Sequence, residues 1–92
     1  MESQFQWDPQ KAIANIRKHG VSFDDAAGVF VDPLSLTIPD PAHSTREDRF
    51  VTMGCNVKGR LLVVVHTDRG DHIRIISARR ASVRERIAYE EA

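Results

Sequence analysis

Arg79 and Arg80 are adjacent in the segment IRIISARRASVRERIAYEEA, at the point where a strand-like alternation gives way to a helical period. A guanidinium is a planar fork of donors that matches the oxygens of a phosphate, whereas a lysine ammonium acts as a point charge. The chemistry this pair suggests is the grip of a phosphodiester. Neighbouring residues of a strand point to opposite faces. Convergence of the two therefore needs a corner where the chain leaves the pleat and both side chains swing toward one rim. The competing use is structural, an ion pair from one of them to Glu85 or Asp71.

Breaking a phosphodiester without a metal needs a base to activate the nucleophile, an acid for the leaving oxygen, and fixed cations around the transition state. Arg79 and Arg80 suit the cationic role, and Arg49, Arg60 and Arg74 are further candidates for holding a phosphate. His66 closes the run LLVVV and suits proton transfer; a satisfied, partly buried histidine explains it equally well. Lys18 and His19 are a second pair of candidates, although the last turn of a helix favours such residues on electrostatic grounds alone. Phe50 follows Arg49 and offers a ring for base stacking, with burial in the core as its alternative. If Ile73 and Ile75 face the core, strict alternation puts Arg74 on the other face together with His72, Ile76, Ala78 and Arg80.

The four histidines show no ligand-pair spacing, and the single cysteine, Cys55, sits in an apolar stretch that reads as core. No metal and no cofactor is expected. The 92 residues carry thirteen basic and thirteen acidic groups, but the balance is uneven along the chain. Through Ser44 there are three basic and six acidic residues; from Thr45 there are ten and seven, and nine of those ten are arginine. The preference for arginine tips the reading toward an anionic partner, against the alternative of a solvated surface, which also accepts arginine well on helices. A chain of this length supports one core, so residues 1–92 are expected to form a single domain. No apolar run approaches the roughly 20 residues of a membrane helix, and the N-terminus lacks a signal-peptide pattern. A cytoplasmic protein with no membrane contact is expected.

The elements that must position these residues can be read from their punctuation. Asp8 and Pro9 open a helix and Gly20 closes it. Ser22 with Asp25 opens a second, whose Phe23, Ala26, Ala27 and Phe30 form one apolar stripe ending near Asp32. LSLTI alternates as a strand, and PDPAHSTRED reads as a mobile loop. RFVTMGCNV, RLLVVVHT and DHIRIISA follow as strands joined by short turns, with LLVVV as the central one. Ser82 and Glu85 form a capping box for a last helix, in which Val83 and Ile87 are expected to pack inward and Arg84 and Arg86 to point out. The expectation is an α+β fold: a short N-terminal arm or strand, two helices, an antiparallel sheet of three or four strands and a C-terminal helix.

The stretches WDPQKAIANIRKHGVSFDDAAGVF, DPLSLTIPDPAHS and GRLLVVVHTDRGDHIRIISARRASVRERIAYEE, in this order, resemble the BrnT-type toxins of bacterial type II toxin–antitoxin pairs, small proteins of RelE-like fold. The likeness covers nearly the whole chain, and KHGVSF and RIISARRA are its most specific parts. It implies a metal-independent endoribonuclease that arrests growth by cutting RNA. It also implies a BrnA-type antitoxin with a ribbon-helix-helix DNA-binding domain, assembled with the toxin as a heterotetramer that reaches operator DNA through the antitoxin. By analogy with RelE-like enzymes, Tyr89 would contribute a phenol. The rival reading is a catalytically silent binding module whose arginines hold acidic antitoxin residues and whose output is the repressor complex.

Overall fold

The computed structural model describes residues 4–40 and 48–92. The expected loop therefore falls for the most part, at positions 41–47, outside the described residues. Strand β1 (Phe5–Gln6) leads into helix α1 (Pro9–His19) and helix α2 (Phe23–Ala27), which tightens into a 3-10 turn over Gly28–Val31. Strands β2 (Leu36–Pro39), β3 (Arg49–Cys55), β4 (Leu61–Arg69) and β5 (His72–Arg80) follow, and helix α3 (Val83–Glu91) ends the chain.

The boundary residues act as their chemistry dictates. The Asp8 carboxylate accepts from the Gln10 amide, and Gly20 at φ 70° closes α1. Ser22 caps α2 through the Asp25 amide, and Ser82 and Glu85 complete a reciprocal capping box on α3. The sheet has five strands in the order β1-β5-β4-β3-β2, one more than expected. It is mixed rather than antiparallel, because the two-residue β1 pairs parallel to β5, with Phe5 opposite Ile73. The arm was too short to show an alternation, and its partner lies at the far end of the sequence.

As the apolar run LLVVV suggested, β4 is the central strand. Leu62 and Val64 face α1 and α2 in a core with Val21, Phe23, Ala26, Val29, Ile75 and Ala78. Leu61 and Val63, on the opposite face, are buried as well. Gly54 on β3 lies against Val29 and Ser35, where a Cβ would meet the Val29 carbonyl at 3.1 Å; a glycine is needed for the 3-10 turn to approach this closely.

Two features depart from simple alternation. The pairing of β4 with β5 slips by one residue, from Val65–Ser77 to His66–Ile75, leaving Ile76 as a bulge. In addition, β1 covers only Ile73 and Arg74, and beyond it α1 lies along the edge of β5. There the buried Asn15 amide donates to the Ala78 carbonyl at 2.8 Å and accepts from the Ala78 amide at 3.1 Å, in place of a neighbouring strand. The same amide donates to the Val21 carbonyl, tying the edge to the start of α2.

The inward packing expected of α3 is not found. Val83 is 77% and Ile87 48% exposed, and no residue of the helix is buried. Its anchors are polar. Glu85 pairs with Arg79, and the Tyr89 hydroxyl donates to Asp32 at 2.6 Å. Asp32 also accepts from the Leu34 and Cys55 amides; led by the Tyr89 contact, these bonds hold its carboxyl below the usual range, and the phenol of Tyr89 is correspondingly pushed up.

Candidate functional site

The bulge decides which arginines share a face. Because Ile76 is unpaired, Arg74 lies opposite Thr67 and Arg79 lies opposite Val63, both on the face of the sheet away from α1 and α2. Arg80 lies opposite Leu62 and so belongs to the other face. Strict alternation had grouped Arg74 with Ala78 and Arg80, and one inserted residue reverses that grouping. The pleat also runs through Arg80, so Arg79 and Arg80 do not swing toward a common rim.

Arg79 forms a two-pronged ion pair with Glu85, at 2.7 and 2.8 Å. Glu85 accepts from the Ser82 amide too, and these contacts, led by Arg79, hold its carboxyl down at about 2. Arg79 is thus engaged by the first turn of α3. Arg80 has no side-chain hydrogen bond or ion pair among the described residues and lines a shallow depression with Arg60 and Arg86. Arg60 lies 3.8 Å from Asp25, which Lys58 approaches more closely at 3.1 Å.

His66 is 3% exposed and both ring nitrogens are engaged: Nε2 with the Thr52 hydroxyl at 2.8 Å, Nδ1 with Asp68 at 3.2 Å. Its ring lies edge-on to Phe30 and stacked with Phe50, at centroid distances of 4.8 and 5.9 Å. Burial pushes its pKa below the ordinary value, against the pull of Asp68. In this setting the imidazole is a neutral structural group out of reach of RNA, and Phe50 presents its ring to His66 from the helix-bearing face.

The opposite face carries a different cluster. Thr67 on β4 has Arg49 of β3 on one side and Arg74 of β5 on the other, in one row across three strands. Neither guanidinium has a hydrogen bond or ion pair among the described residues, although both side chains are half-buried. The Thr67 hydroxyl is buried with no hydrogen-bond partner among the described residues. With no carboxylate partner among the described residues, the two guanidiniums of this row are chemically suited to receive an anion. The row toward the hairpin turn adds Arg69 opposite His72, whose Nδ1 lies 2.9 Å from Asp71. The row on the other side is Val51, Val65 and Ser77. Beside Ser77, α1 contributes Lys11, Lys18 and His19 around a depression of about 210 Å³.

Of the residues proposed from sequence, the structure therefore brings Arg49 and Arg74 together, with Lys18 and His19 at the adjoining rim. It places Arg60 and Arg80 at the far end of the sheet, and His66 and Phe50 beneath it. Thr67 was missed, since it belongs to no motif and only the strand register sets it beside Arg74. His72, which alternation already set on the face of Arg74, had been given no role.

The described chain contains no helix long and apolar enough to cross a membrane. No curated protein matches the sequence. Among solved structures, the chain is similar to the crystal structure of the Brucella abortus ribonuclease toxin BrnT, with 26% identity and a TM-score of 0.67 over 87% of this chain and 99% of that one. The family model for BrnT, the ribonuclease toxin of type II toxin–antitoxin systems, matches residues 7–85. With most of its length matched and the same fold, this chain belongs to the BrnT family of ribonuclease toxins.

Proposed function

We propose that this protein is the toxin of a type II pair and a metal-independent endoribonuclease whose cut takes place on the face of the sheet away from α1 and α2. The observation that carries this reading is the row Arg49–Thr67–Arg74, in which two half-buried guanidiniums have no carboxylate partner among the described residues. Adjacent strands lie about 4.8 Å apart, so arginines two strands apart are spaced to grip one phosphate from both sides.

In the reaction the RNA 2′-oxygen attacks phosphorus and loses its proton to a base. The bond to the 5′-oxygen breaks and that oxygen takes up a proton, leaving a 2′,3′-cyclic phosphate and a 5′-hydroxyl. DNA lacks the nucleophile and is spared. Arg49 and Arg74 stabilise the charge developing on the phosphorane oxygens. His72, on the same face as Arg74 and two residues before it, handles the proton, with Lys18 and His19 of α1 guiding the strand along the rim. The partner is a BrnA-type antitoxin with a ribbon-helix-helix domain, joined in a heterotetramer that contacts operator DNA through the antitoxin.

The test is incubation of purified, antitoxin-free protein with a defined RNA in EDTA, beside Arg74→Ala, with the product ends identified. Cleavage to cyclic phosphate by the parent and its loss in a folded Arg74→Ala protein is the expected result. Full cleavage by that variant removes the assignment of the row. A folded parent that binds antitoxin but cuts no RNA is instead the silent binding module.

A further inference from the structure

The second gathering of arginines lies at the opposite end of β4, where Gly59, Arg60, Leu61, Arg80, Ala81 and Arg86 line a depression of about 200 Å³. Its frame is well held. Asn56 Oδ1 accepts from the amides of Lys58 and Arg60, and the Ala81 amide donates to the Leu61 carbonyl at 3.0 Å. The acids nearby are already committed, Glu85 to Arg79 and the Ser82 amide, Asp25 to Lys58 more closely than to Arg60. Arg80 and Arg86 therefore meet in one concavity with no counter-charge among the described residues. Like charges brought together this way repel one another until an anion enters between them.

We propose that this depression is a second phosphate-binding site that anchors the RNA backbone away from the cut. The identity of the ligand as RNA rests on the ribonuclease reading; the anion chemistry does not. Leu61 and Thr67 are six residues apart on one strand, which separates the two sites by about 20 Å, a span of several nucleotides of single strand. A strand leaving the Arg49–Thr67–Arg74 row toward the C-terminal end of β5 crosses the rim of the sheet to reach Arg80 and, beside it, Arg86. The chain thus holds RNA at two points and cuts at one, which favours substrates longer than the few nucleotides the catalytic row can touch.

Binding of a fluorescent 2′-deoxy oligonucleotide, which cannot be cut, is measured at several salt concentrations for the parent, for Arg80→Ala/Arg86→Ala, and for the charge-matched Arg17→Ala/Arg84→Ala. The first double variant is expected to bind at least about tenfold more weakly. Its slope of log K against log salt should be shallower by about 1.4, since each lost phosphate contact on a single strand removes about 0.7. The charge-matched control should stay close to the parent. Equal behaviour of the two double variants overturns the proposal, as does a parent that fails to bind at low salt. A parent that binds with the expected difference but cuts no RNA leaves the anion site standing and removes only the ribonuclease reading.

Discussion

Arg74 and Arg79 stand on the same strand and the same face of the sheet, yet one is engaged and the other is not. Arg79 meets Glu85 in a two-pronged pair and joins the sheet to α3. Arg74 lies opposite Thr67, with Arg49 on the strand beyond, and neither guanidinium has an acid partner among the described residues. Residue type is the same in both, and the position of a carboxylate separates them. An arginine with its acid in place is part of the scaffold; an arginine kept from acids is available to a substrate.

Three measurements break or sharpen this contrast. The largest effect is expected in RNA cleavage: Arg74→Ala should lose about a hundredfold or more in rate, as removal of one fixed donor to a developing oxyanion does. Arg79→Ala should keep most of the activity and lose about 1 kcal/mol of stability, from an exposed pair that also orders the helix cap. A folded Arg79→Ala protein that cannot cut, beside an Arg74→Ala protein that can, would reverse the assignment of the two ends.

The next effect concerns the edge that holds α1 against β5. Asn15→Ala leaves the Ala78 amide and carbonyl without their partners, and urea unfolding should show a loss of about 1–3 kcal/mol. A change within experimental scatter would mean that the edge finds other partners.

The smallest effects are in pH. Burial lowers the folded pKa of His66, so its contribution is fully present above the unfolded value near 6.5 and falls as the pH drops toward the folded value. Stability should decline below pH 6.5 by at most about 1.4 kcal/mol per unit, and His66→Asn should flatten that decline. Glu85, held down at about 2, stabilises above the ordinary carboxylate range and loses its contribution as the pH falls from there toward 2. Glu85→Gln should abolish this acid-side loss, and an unchanged acid limb in denaturant titrations would show that the pair with Arg79 does not form in solution.

Much of the fold was legible because its signals are local. Asp8, Pro9 and Gly20 bound α1 on the strength of backbone chemistry alone, and the Ser82–Glu85 box did the same for α3. LLVVV announced the central strand by having no polar face to expose. What escaped was set by long-range geometry. The bulge at Ile76 carries no glycine or proline to mark it, yet it changes which residues share a face with Arg74. His66 reads as a catalytic histidine from its neighbours in sequence, and only Phe30 of the 3-10 turn with Phe50 and Thr52 of β3 show it to be enclosed. Val83 and Ile87 have the spacing of a packed helix yet stay exposed, and the hydrogen bonds that tie α3 to the sheet side come from Glu85 and Tyr89.

The amide of Asn15 has a consequence beyond stability. Past the end of β1, the outer side of β5 would present open donors and acceptors, which another copy of the chain could match strand to strand. By satisfying both bonding groups of Ala78, one side chain from a helix makes that flank a poor template for its own kind. Asn15→Ala is therefore expected to shorten the time the protein stays in solution at high concentration, and to form assemblies rich in intermolecular sheet as it leaves.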